Sequence, residues 1–508
     1  MFAKVNSLGL FGLNAFPVEV ETDVSRGTPC FEIIGLADVA VKESRERIRA
    51  AFRSCGLAFP LSRVIVNLAP ADTKKTGSMH DLAIFVSLLK VTGNIDDDLE
   101  KTAFIGEVSL NGGVRPVNGV LPMVLCAEKE GFDTVFVPAA NAFEASVAGG
   151  ITVYGVENVS EIIGHFSRNA VLIPQRQYEV MPEKRFDSVD FSEVKGQQTA
   201  KKALEYAAAG GHNVLMIGPP GSGKSMLAKR LATIMPAMTF KESIEATNIH
   251  SVCGEVTKEN PLVTKRPFRS PHHTISGAGL SGGGTVPRPG EISLAHNGIL
   301  FLDELPEFSR QALEILRQPL EDRQVTISRA AGTITYPCSF MLVAAMNPCP
   351  CGYAGHPTRA CICSKKQAHS YINRISGPLL DRFDIHVEVA PVEFEHLSSA
   401  AKEESSAAIR ERVQAAREIQ QKRFAGTDIT CNARITADIF HDVCPITDSG
   451  NELLKNVFEK MGLSARAYDR IVKVARTIAD MDGSEVIDKP HIAKAVQFRT
   501  LDRKYWNG

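Results

Sequence analysis

Residues Gly218 to Ser225 read Gly-Pro-Pro-Gly-Ser-Gly-Lys-Ser and stand between an apolar run, Asn213 to Ile217, and a segment with helical spacing, Lys224 to Met235. A glycine-rich turn between a strand and a helix points backbone N–H groups and the positive end of the helix at a bound anion. In this setting the pattern predicts a parallel α/β core that binds ATP, with Lys224 on the β- and γ-phosphates and Ser225 on Mg²⁺. The predicted nucleotide-binding residues are Gly218, Pro219, Pro220, Gly221, Ser222, Gly223, Lys224 and Ser225.

A second buried run, Ile299 to Leu302, ends in two acidic residues, Asp303 and Glu304. Parallel strands end at the same edge of a sheet, so we expect these acids beside the glycine-rich loop. We predict that Asp303 holds Mg²⁺ through its water shell and that Glu304 is the general base for the attacking water. Paired acids at a strand end can also form a solvated turn, but the upstream loop favours the catalytic interpretation.

Three further residues are assigned by resemblance to AAA+ ATPases. The apolar run Met-Leu-Val-Ala-Ala-Met ends in Asn347, which resembles the sensor-1 residue that orients the attacking water. The segment Gly-Pro-Leu-Leu-Asp-Arg-Phe-Asp resembles the one that carries the arginine finger, so Arg382 is expected to reach the γ-phosphate of a neighbouring subunit. The segment Leu-Ser-Ala-Arg-Ala resembles sensor 2 and supplies Arg466. The alternatives are a turn-forming asparagine and two surface salt bridges.

Three long segments carry a closer resemblance: VKGQQTAKKALEYAAAGGHNVLMIGPPGSGKSMLAKRL, RPFRSPHHTISGAGLSGGG and SARAYDRIVKVARTIADM. They resemble the ComM/YifB proteins, the magnesium-chelatase-like AAA+ ATPases, and the likeness covers essentially the whole chain. The resemblance implies an ATP-driven homohexamer that moves on single-stranded or branched DNA. It implies branch migration in homologous recombination, as when incoming DNA is integrated during natural transformation. The alternative is a chelatase-type motor whose client is another protein.

The chain has 508 residues, which is enough for about three domains. Residues 1–165 alternate short strands with helices and are predicted to form an α+β domain. Residues 166–186, with two prolines and many charges, are expected to be a linker. Residues 187–390 are predicted to form the AAA+ core, and residues 391–508 a helical lid domain.

Within the first of these domains, the segment from Gly106 to Leu121 resembles the catalytic domain of Lon protease. Lon-type hydrolysis needs a serine nucleophile that a lysine activates. The Lon pattern puts Leu121 where the lysine should stand, and the residues around Ser78 depart from the nucleophile turn. We therefore expect a non-proteolytic Lon-like domain, with an ATP-dependent protease as a third alternative.

The formal net charge of −1 gives no global attraction to nucleic acid, so DNA binding requires a local basic patch. A glycine- and proline-rich segment before Ile299 carries Arg266, Arg269 and Arg288, and a predicted β-hairpin carries Arg329 near its tip. In helicases of the resembling clade both elements line the ring pore and follow the nucleic-acid backbone. The alternative is that these loops make only subunit contacts.

Four of the eleven cysteines are clustered, namely Cys349, Cys351, Cys361 and Cys363. Four thiolates are enough for a tetrahedral Zn²⁺ site that would brace the loop after Asn347. Redox-sensitive thiols, or no special role, are the alternatives.

No apolar run reaches the roughly 18 residues needed to span a bilayer, and the N-terminus lacks a secretory pattern. We therefore expect a cytoplasmic protein without a membrane partner.

Overall fold

Two β-sheets organise the computed structural model, which describes residues 1–179, 189–284, 287–329, 332–356, 358–391 and 403–506. The first sheet has seven strands of mixed direction, and the second has five parallel strands. Helices follow the second sheet towards the C-terminus. Among the described residues, no helix combines the length and the apolar character that crossing a membrane requires.

The N-terminal elements are β1 (Phe2–Phe11), β2 (Asn14–Ser25), β3 (Cys30–Ile34), α1 (Val39–Ser54), β4 (Arg63–Ala69), α2 (Asp81–Val91), β5 (Thr102–Phe104), β6 (Glu107–Val108), β7 (Val114–Arg115), α3 (Val120–Lys129), β8 (Thr134–Pro138), α4 (Ala142–Ala145), β9 (Thr152–Val156) and α5 (Val159–Phe166). The sheet order is β3-β4-β2-β1-β5-β8-β9. Strand β4 alternates buried and less buried residues, as a strand with one face on a core does. Helix α2 lies across β1 and β2, and its apolar residues fill that core.

The elements around the second sheet are α6 (Gln198–Gly210), β10 (Val214–Ile217), α7 (Lys224–Ile234), α8 (Phe240–Cys253), β11 (Phe268–Arg269), α9 (Gly277–Ser281), β12 (Gly282–Gly283), β13 (Arg288–Pro289), α10 (Glu291–Leu294), β14 (Ile299–Leu302), α11 (Arg310–Ile315), α12 (Arg317–Asp322), β15 (Gln324–Arg329), β16 (Gly332–Pro337), β17 (Met341–Met346), α13 (Lys365–Ile372), α14 (Gly377–Leu380) and β18 (Ile385–Glu388). The order is β11-β14-β17-β10-β18. Strands β10, β14 and β17 are buried at every residue because helices cover both faces of the sheet.

The C-terminal helices are α15 (Ser406–Arg423), α16 (Phe440–Val443), α17 (Asp448–Met461), α18 (Ala465–Met481), α19 (Lys489–Gln497) and α20 (Thr500–Tyr505). Short 3₁₀ helices cover Ala139–Asn141, Phe191–Glu193, Leu305–Glu307 and Asn432–Arg434. Helix α18 begins after Ser464, whose hydroxyl accepts the N–H of Ala467. It packs against α6, α15 and α19, so the C-terminal helices share one apolar core with the parallel sheet.

Within the described ranges, contacts between the two halves of the chain include the following two. The N–H of Gly119 donates to the carbonyl of Ser251 at 3.1 Å, and the hydroxyl of Ser251 donates to Glu144. The turn between β1 and β2 places Phe11 and Leu13 against the apolar cluster that contains Ile334 of β16. The hairpin of β15 and β16 is therefore supported from the N-terminal domain.

The predicted fold class is confirmed, with a mixed α/β chain, a parallel sheet around the glycine-rich loop and helices at the C-terminus. The bounds of the nucleotide-binding elements differ from the predicted ones by one residue at most. Strand β1 was not predicted, although it is the second-longest strand of its sheet after β2.

Candidate active site

Three strands deliver the predicted nucleotide-binding residues to the same edge of the parallel sheet. Strand β10 is followed by the glycine-rich loop, β14 by Asp303 and β17 by Asn347. Because β17 lies between β14 and β10 in parallel register, with Ile217 opposite Met346, these three ends are adjacent. An added Cβ on Gly218 would lie 2.2 Å from the carbonyl oxygen of Val389, so this close packing admits only glycine.

Lys224 is the first residue of α7 and its side chain is held inside the loop. Its Nζ donates to the carbonyl oxygens of Gly218 at 2.7 Å and Pro219 at 2.9 Å, and it lies 3.2 Å from Oδ1 of Asn347. Burial lowers the pKa of Lys224 to about 8, against the opposing effect of Asp303 and Glu304. An anion in the loop would give this ammonium group the charged partner that the carbonyls do not supply.

Ser225 and Asp303 face each other across the loop, and the serine hydroxyl donates to Oδ2 of Asp303 at 2.5 Å. A hydroxyl beside a carboxylate is an all-oxygen donor pair, which is the kind that Mg²⁺ prefers. Glu304 follows in a left-handed backbone conformation (φ 53°), and 55% of its side chain is exposed. The exposed carboxylate of Glu304 takes no part in the hydrogen bond between Ser225 and Asp303, and it can accept a proton from water.

His273 is a neighbour of Glu304 that the sequence analysis did not assign to the site. Its Nδ1 lies 3.5 Å from Oε2 of Glu304, and its ring lies against that of His272 with centroids 4.1 Å apart and the planes tilted by 34°. The contact arises because β11, which precedes His273, pairs with β14, which precedes Glu304. The pairing is two residues long, and a strand so short leaves only a weak sequence signal.

Arg382 and Arg466 lie together at the opposite edge of the sheet from the glycine-rich loop. Both line a cavity of about 230 Å³ that also includes Asn213, the residue before β10, whereas the loop follows β10. Four strand residues separate the two edges, which is about 13 Å. Arg382 is buried and forms an ion pair with Glu321, whereas Arg466 is exposed. The structure therefore places the two arginines next to each other, at the opposite edge of the sheet from Lys224 of the same chain.

The same cavity contains a strongly paired carboxylate. Asp384 lies 3.6 Å from His212 and 3.5 Å from Arg470. Burial raises the pKa of Asp384, but the neighbouring His212 and the charge of Arg470 outweigh this effect and lower the pKa to about 2. Asp384 therefore stays ionised and balances part of the positive charge at this edge.

The four arginines predicted to bind DNA fall into two classes. The side chain of Arg266 is about 10% exposed, pairs with Glu242 at 3.1 Å and donates to the carbonyl of Asn297 at 2.7 Å, so its guanidinium group is used in contacts within the protein. Arg269 lies between Glu255 and Glu291 and is about one quarter exposed.

Arg288 and Arg329 are both exposed and both flank Gly283. Arg288 pairs with Gly283 across the β12–β13 ribbon, and an added Cβ on Gly283 would lie 3.2 Å from Nη2 of Arg329. The structure thus brings these two arginines into one exposed pair and leaves Arg266 out of it.

In the N-terminal domain the structure gives Ser78 and Leu121 different surroundings. The hydroxyl of Ser78 donates to Glu107, and Leu121 is fully buried beside Val147 and Leu262. Because a leucine side chain has no basic group, Leu121 cannot replace the lysine that activates the serine in Lon-type hydrolysis.

The four predicted cysteine ligands are brought together after β17. Their sulfur atoms all lie within 4.8 Å of one another, and the group could hold a metal ion. Cys349 is buried, Cys361 is exposed, and Cys351 and Cys363 are intermediate.

Three family models match most of the chain. Residues 190–397 match the model described as magnesium chelatase, subunit ChlI, residues 20–141 match subunit ChlI of Mg-chelatase, and residues 403–499 match the ChlI C-terminal model. The matched ranges include every strand of the second sheet and most of the C-terminal helices, whereas β1 and β9 of the first sheet lie outside them.

Individual relatives extend the same comparison. The chain is 41% identical to the competence protein ComM of Haemophilus influenzae, over 99% of this chain and 98% of the relative. It is 40% identical to the uncharacterised protein YifB of Salmonella typhimurium, over 99% and 97%. It is also 30% identical to Lon protease 2 of Bacillus subtilis over 28% of this chain and 26% of the relative, which agrees with the predicted Lon-like likeness. Because two relatives match over their full length, the chain belongs to the ComM/YifB family of magnesium-chelatase-like AAA+ proteins.

Proposed function

We propose that the protein is an ATP-dependent DNA translocase that works as a ring of identical subunits, six by family resemblance, and promotes branch migration. The observation that carries the proposal is the separation of two groups of residues on one sheet. Lys224, Asp303 and Glu304 stand at one edge, and Arg382 and Arg466 stand at the other. The first edge has the nucleotide-binding residues without these arginines, and the second edge has the arginines without the nucleotide-binding residues.

A ring of identically oriented copies joins unlike surfaces, and so it can set the arginine edge of one copy against the nucleotide edge of the next. The γ-phosphate would then be held by Lys224 of one subunit and approached by Arg382 and Arg466 of its neighbour. Charge that develops on the transferring phosphoryl group is stabilised best by cations fixed in place. Hydrolysis would therefore depend on assembly.

The residues of the nucleotide edge fit ATP and Mg²⁺. Ser225 and Asp303 would hold Mg²⁺, which would neutralise charge on the phosphates when bound. Glu304 would accept the proton of the attacking water, and Asn347 would orient that water. The contact between Lys224 and Asn347 supports this arrangement, because it puts the orienting amide beside the phosphate-binding ammonium.

The exposed pair of Arg288 and Arg329 supports DNA as the client. Both arginines stand on short β-ribbons, and neither has a carboxylate partner within ion-pair distance in the described part of the chain. Positive charge on such elements suits the phosphate backbone and needs no base sequence. A relative that is named a competence protein supports integration of incoming DNA as the setting.

The test is ATP hydrolysis with and without single-stranded or branched DNA, followed by a branch-migration assay on a synthetic junction. We expect DNA to stimulate hydrolysis, and we expect the Arg288→Ala/Arg329→Ala variant to lose the stimulation while keeping the basal rate. Lys460→Ala/Lys489→Ala is the matched control, because it removes two exposed charges from the C-terminal helices. Absence of DNA binding by the parent protein at low salt would overturn the translocase proposal.

A chelatase-type motor that acts on a protein partner is the second candidate, and the match to magnesium chelatase models favours it. It predicts stimulation of ATP hydrolysis by a partner subunit and no response to DNA. The same assay therefore separates the two candidates.

A further inference from the structure

The four clustered cysteines have the spacing of metal ligands. Cys349 Sγ lies 3.4 Å from Cys351 Sγ and 3.6 Å from Cys361 Sγ, and Cys351 Sγ lies 3.6 Å from Cys361 Sγ. In a tetrahedral site with Zn–S bonds of about 2.3 Å, neighbouring sulfurs stand about 3.8 Å apart. All four cysteines are free of disulfides. The sulfurs therefore surround a space that suits one ion.

The backbone around the cluster favours thiolates. The N–H of Cys351 donates to Cys363 Sγ at 3.4 Å, and the N–H of Ala354 donates to Cys349 Sγ at 3.4 Å. Such N–H groups stabilise negative charge on a ligating sulfur and fix its direction. Four sulfur donors with this geometry select Zn²⁺ over Mg²⁺ or Ca²⁺, which need oxygen ligands.

The cysteine segment is also attached to the nucleotide loop. The carbonyl of Met346 accepts the N–H of Gly218 at 3.2 Å, and Oδ1 of Asn347 lies 3.2 Å from Lys224 Nζ. Gly352, in a left-handed conformation (φ 83°), packs so closely that an added Cβ would lie 2.4 Å from Cδ of Pro220. The segment 346–352 thus contacts the glycine-rich loop at both of its ends, through Met346 and Asn347 at one end and Gly352 at the other.

We propose that Cys349, Cys351, Cys361 and Cys363 bind one Zn²⁺ ion, and that this ion holds residues 346–352 against the glycine-rich loop so that nucleotide affinity depends on the metal. Cys349 and Cys351 belong to this segment, whereas Cys361 and Cys363 approach from ten or more residues further along the chain. A bound ion would add coordination bonds between these two pairs. The effect of the metal on nucleotide affinity rests on the proposed function, whereas the metal site itself does not.

The first measurement is metal content of the full chain, purified with a reducing agent and analysed by mass spectrometry. We expect one zinc per chain in the parent protein. The Cys361→Ser/Cys363→Ser variant should lose it, and it changes exposed or half-exposed residues instead of the buried Cys349. Cys30→Ser/Cys126→Ser is the matched control and should keep the zinc, because both residues lie in the N-terminal domain.

Co²⁺ exchanged into the parent should give the visible absorption of a tetrahedral thiolate site, a readout that does not depend on activity. If the reduced parent protein is supplied with zinc and retains less than a trace of metal, the proposed metal site is overturned. The absorption of an iron–sulfur cluster would overturn zinc as its metal.

The second measurement is the affinity for a fluorescent ATP analogue. We expect Cys361→Ser/Cys363→Ser to bind it about tenfold more weakly, the loss expected for one displaced charge-assisted hydrogen bond such as that to Asn347. If the variant loses zinc but binds the analogue with unchanged affinity, the proposed link between metal and nucleotide affinity is overturned and the metal site stands. Failure of the zinc-loaded parent to bind the analogue at all would instead count against the proposed ATPase.

Discussion

The hydroxyl of Ser225 donates a hydrogen bond of 2.5 Å to Oδ2 of Asp303, although the two residues are 78 positions apart in the sequence. Ser225 lies in the first turn of α7, and Asp303 directly follows β14. Both residues are predicted to bind Mg²⁺. Their contact supports the idea that one ion could bind both.

The Asp303→Asn variant should need much more Mg²⁺ for hydrolysis. The amide keeps the shape of the side chain but removes the negative charge that attracts the ion, so we expect the Mg²⁺ concentration for half-maximal ATP hydrolysis to rise at least about tenfold. Asp133→Asn is the control, because Asp133 is an exposed carboxylate of the N-terminal domain. An unchanged Mg²⁺ requirement in Asp303→Asn would contradict the assignment.

The Glu304→Gln variant should bind ATP and DNA but turn over slowly. Glutamine cannot accept the proton of the attacking water, so we expect the rate of hydrolysis to fall by about 10²- to 10⁴-fold. The measurement is steady-state phosphate release together with retention of radiolabelled ATP on the protein. Glu307→Gln is a matched control, because Glu307 is a nearby carboxylate that forms an ion pair with Arg374 at 3.0 Å. Turnover at the parent rate in Glu304→Gln would show that another group is the base.

Mixing two inactive variants tests whether Arg382 acts on a neighbouring subunit. Lys224→Ala damages the nucleotide edge and Arg382→Ala damages the arginine edge, so each ring alone should be inactive. A mixed ring contains some interfaces with an intact Lys224 and an intact Arg382, and we expect ATP hydrolysis to return in part. Mixing Lys224→Ala with the double variant Lys224→Ala/Arg382→Ala restores no interface and is the control. Equal rates in the two mixtures would contradict action between subunits.

The nucleotide edge was predictable because its signals are local. A continuous apolar run such as Ile299 to Leu302 is typical of a strand covered on both faces, and the acids that follow it must lie at the edge of the sheet. Strand β1 had no such signal. It includes polar Asn6 and Ser7, which are nevertheless buried because Asn6 donates to the carbonyl of Glu100 and Ser7 pairs with His80.

The surroundings of individual arginines were not predictable, because they depend on partners from distant elements. Arg266 and Arg288 occur in the same glycine- and proline-rich segment. Arg266 is neutralised by Glu242 of α8, whereas Arg288 stands exposed on a ribbon. Composition gives the number of charges in a segment but not which of them a carboxylate elsewhere will neutralise.

The affinity for ATP should fall as the pH rises above about 8. Burial lowers the pKa of Lys224 to about 8, with Asp303 and Glu304 acting in the opposite direction. A bound phosphate favours the charged ammonium and so raises that pKa in the complex. Below the pKa of the free protein the ammonium is already charged and affinity is full. Above it, binding must be accompanied by uptake of a proton, so affinity is progressively lost.

Between pH 7.5 and 9 we expect the Kd for ATP to rise by up to about tenfold, since one pH unit above the pKa leaves about one lysine in eleven charged. Isothermal titration calorimetry in two buffers of different ionisation enthalpy should also detect the proton that is taken up. Lys224→Arg is the matched variant, because its guanidinium stays charged throughout this range and should give weaker binding without the pH dependence. A parent protein whose affinity is constant from pH 7.5 to 9, with no proton uptake, would show that Lys224 remains charged in the free site.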